Sequence, residues 1–428
     1  MKCKKSVTWF LCIAVLLVIS AVVWSGGAQD KAEEKAELVI LTWNIPSYEP
    51  GVRGWISDFE KAHPGSTVKW TDKKGSEWAT YFQTQLTGGT EPDVFEIQGQ
   101  LWVRYADMGA LLDLGPYLNA NPGVRDSYDQ NMINGVLVYQ GKHWMVPFFM
   151  APTILYYNKL MFRDVGLADP PRTMEELYNY ARKLTIDEAH SGFLTLNFDW
   201  HYWPIFRANG VELLSKDNRK AAFNTPQSVQ TVTALAELTQ SGAIDKISWT
   251  GRWKEPNDAF AAGNIGMYQT NGAAYGSFKA AGKEDWINPD SVWVAPFPGG
   301  WAVPNYHAMG IGARTKYPDL AWDLVKIISN EKWAEDRMRV ISVLSGNSVV
   351  NKRLLNNADF RNTDKIRTRQ FEKELENMDK LTGNPAIPED ERVKEVFYTN
   401  LQKALFGEVS AREALTAAER EINEILAK

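Results

Sequence analysis

The chain reads as an α/β fold in which helices cover a parallel or mostly parallel sheet. Three observations predict it. From residue 37 onward, short apolar runs of strand length alternate with runs of helical period. The later helical runs carry explicit start and stop residues. The 428 residues suffice for two or three domains of ordinary size, yet no internal repeat and no low-complexity linker divides them. Domains without a linker between them are expected to be joined by several crossing strands.

The first strand is predicted at residues 37–44 (ELVILTWN), a short apolar run suited to burial. Gly51 to His63 carries Val52, Trp55, Ile56 and Phe59 at helical spacing, and Pro64-Gly65 ends it. Ser66 to Thr71 is the second strand. Gly75 then breaks the chain, and Ser76 is the expected N-cap of a helix over Trp78 to Leu86 that Gly88-Gly89 closes. Pro92 to Ile97 is the third strand. Farther on, Thr173 and Glu176 form a capping box before Leu177, Ala181 and Leu184. Thr225 and Pro226 open a helix that Gly242 follows, and Pro318 opens another. Ser410 and Glu413 form a second capping box ahead of Leu415, Ala418, Ile422 and Ile425, a stripe expected to face a core.

Composition excludes several classes. A formal net charge of -5 leaves no basic nucleic-acid footprint. Both cysteines, Cys3 and Cys12, fall in the first dozen residues, so the rest of the chain has no disulfide, zinc-thiolate site or cysteine nucleophile. Lys2, Lys4 and Lys5 precede the apolar run Trp9 to Ile19, and Ser25, Gly26, Gly27 and Ala28 follow. This is the layout of a secretory signal peptide over residues 1–28, cut after Ala28. Left uncut, the same segment is a membrane anchor, although its solid apolar core is short for a span. Residues 29–36 are expected to be a flexible charged tether. Seventeen tryptophans are an excess that asks for a purpose.

Catalytic and cofactor motifs are missing. No G-x-x-x-x-G-K-[ST], no G-x-G-x-x-G after a strand and no G-x-S-x-G elbow occurs, and the histidines show no H-x-x-x-H spacing. The expectation is therefore no cofactor, no metal and no catalytic residue. Carboxylates are plentiful, and a glycosidase needs two at a set separation in space. A carbohydrate-active enzyme thus stays open at this level.

Six segments in order resemble the extracellular (periplasmic) solute-binding proteins of ABC importers, in the branch that binds sugars and oligosaccharides. They are ELVILTWN; LTGGTEPDVFEIQG with ADMGALLDLGPYL; GKHWMVPFFMAPTILYYNKLMFRDVGLADPPRTMEEL; AFAAGNIGMYQTNGAAY; MGIGARTKYPDLAWDLVKIIS; and EVSAREAL. The resemblance runs from about Glu37 to the C-terminus. It implies an α/β two-lobe periplasmic-binding-protein fold of the hinge-closing type II kind, with ligand in the cleft between lobes. Lobe one would comprise 37–151 and 296–345, and lobe two 152–295 and 346–428. Chain crossings would fall near Ala151-Pro152, Val294-Pro296 and Ser345-Gly346. The implied partners are a small sugar and the membrane permease subunits of an importer, with the binding protein itself a monomer outside the cytoplasm.

Sugars present apolar C–H faces that stack on aromatic rings and hydroxyl arrays that pair with amides and carboxylates. Open α/β sheets bind ligands at the C-terminal ends of their strands. Trp43 and Asn44 end the first strand there, with core packing as the other reading of Trp43. Gln98 and Gln100 follow the third, serving a ligand or serving the turn. The aromatic run at 197–204 includes Trp200, to which the resemblance assigns a stacking role, with Asp199 and His201 beside it. The alternative for Trp200 is a hydrophobic anchor of lobe two. Asn271, Gly272 and Tyr275 fall where the family has a glycine-rich loop and an aromatic residue. Trp301, Tyr306 and His307 stand where small residues are usual in the family, and Trp301 and His307 are taken as candidates that narrow the cleft. A satisfied loop histidine is the other reading of His307. Phe148 and Phe149 precede the first crossing, facing the cleft or packing the hinge. The amides favour a neutral sugar over a polyamine, which would want several acids, or a sugar phosphate, which would want Arg or Lys.

Overall fold

The computed structural model describes residues 36–428 apart from 46–47, 198, 282–285 and 384. The leader expected at 1–28, with Cys3 and Cys12, and the expected tether as far as 35 lie outside the described residues. Ala36 belongs to the fold, not to the tether: it is buried, its N–H donates to Ser66 Oγ at 3.2 Å and its carbonyl accepts from Thr67.

The main strands are β1 (Glu37–Trp43), β2 (Thr67–Lys73), β3 (Val94–Gln98), β4 (Met145–Met150), β5 (Thr153–Asn158), β6 (Ser191–Leu194), β7 (Ile265–Asn271), β8 (Val292–Ala295), β9 (Tyr306–Ile311) and β10 (Leu344–Ser345). They form two sheets, in the orders β10-β4-β9-β3-β1-β2 and β8-β5-β7-β6. Each sheet is the centre of one lobe. The expectation of mostly parallel pairing is corrected. Only β1–β2, β1–β3 and β6–β7 run parallel, while β9 is antiparallel to β3 and β4, β10 to β4, and β5 to β7 and β8. Parallel pairs need a crossover helix. The pairs of β5 and β9 are antiparallel because each of these strands enters its sheet directly from the other lobe.

The helices that matter here are α1 (Glu49–Ala62), α2 (Gly75–Gly88), α3 (Met174–Leu184), α4 (Trp203–Ala208), α5 (Pro226–Gln240), α6 (Ala274–Ala280), α7 (Pro318–Ser329), α8 (Glu331–Ile341), α9 (Ser348–Leu355), α10 (Lys365–Glu376), α11 (Asp390–Leu405) and α12 (Ala411–Leu426). Their punctuation follows the sequence closely. Thr173 and Ser410 close reciprocal capping boxes with Glu176 and Glu413, and Thr225 accepts from Ser228 N–H with Pro226 in the first turn. Leu415, Ala418, Ile422 and Ile425 are buried as one stripe of α12. Ser76 is not a cap: the helix starts a turn earlier, with Lys74 at its N-cap.

The chain leaves the first sheet after Met150, enters the second at Thr153, and returns between Ala295 and Tyr306. The outgoing and returning segments run side by side, with Ala151 N–H donating to Asn305 O and Thr153 N–H to Val303 O. The third passage differs from the expected Ser345-Gly346. Past Gly346 the chain stays on lobe one, where Val350 and Leu354 of α9 pack with Met338 and Leu344. It reaches lobe two with α10, where Ile366 joins the cluster around Tyr156 and Phe278, Tyr156 Oη donates to Gln370 and the α10 cap Asp364 accepts from Tyr275. Gly346 has a packing reason instead, since a Cβ there would lie 2.0 Å from Pro147 O.

Candidate functional site

The C-terminal ends of β1 and β3 face lobe two across a cleft of about 710 Å³. That is a usual size for a small-ligand site. Trp43, Asn44, Glu96, Gln98, Phe149, Asn305 and His307 line it from lobe one, and Trp253, Asn271 and Ser277 from lobe two, with Val340–Val343 at the rim. Among the described residues no cluster of His, Cys, Asp or Glu is arranged to hold a metal ion.

The lobe-one wall is aromatic and locked. Trp43 is half-buried and packs on Trp78 with ring centres 5.1 Å apart. Its indole fits because residue 75 is glycine: a Cβ there would lie 2.9 Å from Trp43 Nε1. His307 meets Trp43 edge-on at 6.3 Å and stacks on Phe149 at 4.2 Å. Glu96, almost fully buried, accepts from Trp43 N–H at 3.1 Å and pairs with His307 Nδ1 at 2.5 Å. These two are the charged or chargeable groups among the lining residues, and they face each other.

Five of the expected residues line this cleft: Trp43, Asn44, Gln98, Asn271 and His307. Asn271 has both ends of its amide engaged, by His201 Nε2 at 3.0 Å and by Ala273 N–H at 3.0 Å. The other six stand elsewhere. Gln100 is buried and accepts from Tyr306 Oη at 3.0 Å, beside a second hollow. Gly272 faces α10, where a Cβ would lie 2.0 Å from Glu374 Oε1. Tyr275 donates to the Asp364 carboxylate that caps α10. Trp301 lies under the Arg207 guanidinium at 4.2 Å.

Trp200 is the main correction. Its side chain is 0% exposed and belongs to the lobe-two core, packed on Trp203, Phe397 and Tyr398. Its Nε1–H donates to Asp390 Oδ1 at 2.9 Å. The backbone explains the inward turn: Asp199 and Trp200 both take left-handed φ, 46° and 60°, and Trp200 N–H donates to Tyr398 Oη. Asp199 meets the cleft residue Gln98, whose Nε2 donates to Asp199 Oδ2 at 3.1 Å across the lobes. Burial alone would raise the Asp199 carboxyl. Lys394, with Nζ 3.2 Å away, and the nearby His201 outweigh it and hold the group below its usual range.

Sequence reasoning missed Glu96, Trp253, Asn305 and Ser277, and it left Phe149 open between the cleft and the hinge. Strand alternation held a signal for Glu96, which points to the same face as Gln98 on β3. Nothing local marked the others.

Asp390, below Trp200, makes a pH prediction. Burial pushes its carboxyl up to about 6, against the lowering effect of Lys394 and the Trp200 indole. The folded protein then keeps this proton between about pH 4 and 6, where the unfolded chain has released it. Stability from this group is therefore lost as pH rises through that window. The loss is on the order of 2–3 kcal/mol. Chemical denaturation across that range should show a decline that Asp390→Asn flattens. An identical profile in the variant would refute it.

Comparison with known proteins follows the same lines. Residues 44–335 match the family model of bacterial extracellular solute-binding proteins. The diacetylchitobiose binding protein DasA of Streptomyces coelicolor is 25% identical over 346 residues, 78% of this chain and 79% of that one. The sn-glycerol-3-phosphate-binding periplasmic protein UgpB of Escherichia coli K12 is 32% identical over 130 residues, covering 28% of this chain and 29% of its own. Among solved structures, an ABC substrate-binding protein from Listeria monocytogenes in complex with cycloalternan superposes with a TM-score of 0.78 at 21% identity, covering 92% of this chain and all of that one. The GacH receptor of Streptomyces glaucescens, solved unliganded and with acarbose, gives 0.77 at 21% identity and 92% coverage. These likenesses establish the two-lobed fold. The family match spans more than half of the sequence, and the chain belongs to the bacterial extracellular solute-binding proteins.

Proposed function

We propose that the protein captures a neutral mono- or oligosaccharide in the inter-lobe cleft and delivers it unchanged to the permease of an ABC importer. One observation carries the reading: the cleft offers aromatic faces and amides, and its charged groups, Glu96 and His307, are spent on each other. Trp43, Trp253 and Phe149 suit sugar C–H faces, and Gln98, Asn44 and Asn305 suit hydroxyls. The names of the relatives, which bind diacetylchitobiose, cycloalternan and acarbose, point the same way. A phosphate ligand, as named for UgpB, would find no Lys or Arg among the described residues of this lining. A glycosidase would need two carboxyl groups flanking the ligand, and among the described lining residues Glu96 is the one carboxyl group. The lobes close about the paired segments near 151 and 304, the protein acts as a monomer outside the cytoplasm, and its leader is removed after Ala28.

Thermal melting against a panel tests this. A sugar at a hundred times its dissociation constant stabilises the native state by about 2.7 kcal/mol and should raise Tm by roughly 2–4 °C. sn-Glycerol 3-phosphate and spermidine should leave it unchanged. A shift with either of those and with no neutral sugar would overturn the reading.

A further inference from the structure

We propose that Glu96 is a positioning residue. It holds the His307 proton inward on Nδ1 and so makes Nε2 the imidazole atom that meets a ligand hydroxyl. The inference deepens the sugar reading and rests on it only for the nature of the ligand.

The register makes the pair. On β9 and β3, Met309 stands opposite Glu96 and His307 opposite Gln98, so Glu96 and His307 are diagonal neighbours on one face. Diagonal partners with long side chains can touch. On its other side β9 shifts register against β4 between His307 and Ala308. Such irregularities re-aim a side chain and cluster beside functional sites.

The ring is then fixed on every side but one. Phe149 stacks on its face at 4.2 Å, and Trp43 meets it edge-on at 6.3 Å. Glu96 Oε1 takes Nδ1 at 2.5 Å. The carboxylate cannot turn away, because its other oxygen accepts from Trp43 N–H. His307 keeps 12% of its side chain exposed, in the cleft, and Nε2 meets no hydrogen-bond partner among the described residues.

The nitrogen that carries the proton is set by the bond the other one makes. In its ionised form the Glu96 carboxylate, which already accepts from Trp43 N–H, can only accept, and Nδ1 is then the donor of this contact. A neutral His307 therefore offers the cleft a lone pair. That lone pair selects an O–H or N–H on the ligand and disfavours an anionic oxygen. Glu96 would also orient Trp43 through its backbone, so one buried carboxylate would organise both a stacking wall and a polar anchor.

Nuclear magnetic resonance of the protein with 15N-labelled histidine, at pH 8 and without ligand, decides the question. The five histidine ring patterns are separable, and His307→Gln identifies the one that disappears. The intact protein should show Nδ1 protonated and Nε2 bare. Glu96→Gln presents an amide donor and should move the proton toward Nε2. An Nε2–H tautomer in the intact protein overturns the proposal, and this holds even if the variant fails to fold. An unchanged pattern in a folded Glu96→Gln also overturns it. In a binding arm with diacetylchitobiose and maltose as probes, a sugar that binds should do so about tenfold or more weaker to Glu96→Gln, the scale of a lost charge-assisted hydrogen bond. If neither probe binds, the sugar reading suffers while the tautomer result still stands or falls by itself.

Discussion

Trp43→Ala should weaken sugar binding by roughly thirtyfold or more, the scale of about 2 kcal/mol expected of an aromatic anchor at a hot spot. The residue sits where the first parallel strand ends, the edge at which open α/β sheets hold ligands. One side of its indole is taken by Trp78 and the edge by His307, which leaves the remainder to the cleft. Holding a ring in place beforehand lowers the entropy lost on binding. Trp43→Phe should recover part of the affinity, because a smaller ring still stacks. The apo melting temperature should fall less than for a core tryptophan, since Trp43 is only half-buried. Calorimetric titration with the bound sugar, beside apo melting, separates the terms. Affinity equal to that of the intact protein would remove Trp43 from the site.

How far the sequence reached depends on how local each feature is. The caps at Thr173, Thr225 and Ser410 involve residues three apart and are readable from the chain. Trp43, Asn44 and Gln98 follow from one rule about strand ends, and the structure brings all three to one cleft. The strand directions of β5 and β9 were not readable, because alternation with helices says nothing of a strand that arrives from another lobe. The third passage at Ser345-Gly346 was what the resemblance implied, and the close approach of Gly346 to Pro147 that keeps the chain on lobe one is not a local feature. Gly272 and Tyr275 fall in the segment that leads from β7 into α6 beside the cleft. Whether such residues face a ligand or α10 is decided by Asp364 and Glu374, some ninety to a hundred positions away.

Trp200→Ala should cost about 3–5 kcal/mol of fold stability, the range for truncating a fully buried large aromatic. Affinity for the sugar should change much less. The aromatic run at 197–204 looked like a stacking platform because aromatic clusters on loops normally mark sites. What the run could not reveal is that Asp390 and Tyr398, some 190 residues away, hold this loop from below. Asp199 and Trp200 share a left-handed backbone that Asp tolerates more readily than Trp. Contacts must outweigh that strain, and the Trp200 ring, its N–H and its indole supply them. The substitution also has a linked consequence. The indole N–H lowers the Asp390 carboxyl, so its removal should let burial raise that group further. The decline of stability with rising pH should then extend to higher pH in Trp200→Ala and, with less loss of packing, in Trp200→Phe. Denaturation at several pH values with calorimetric titration distinguishes the alternatives. Retained stability with lost sugar affinity would return Trp200 to the cleft and place the lobe-two wall of the site at this loop.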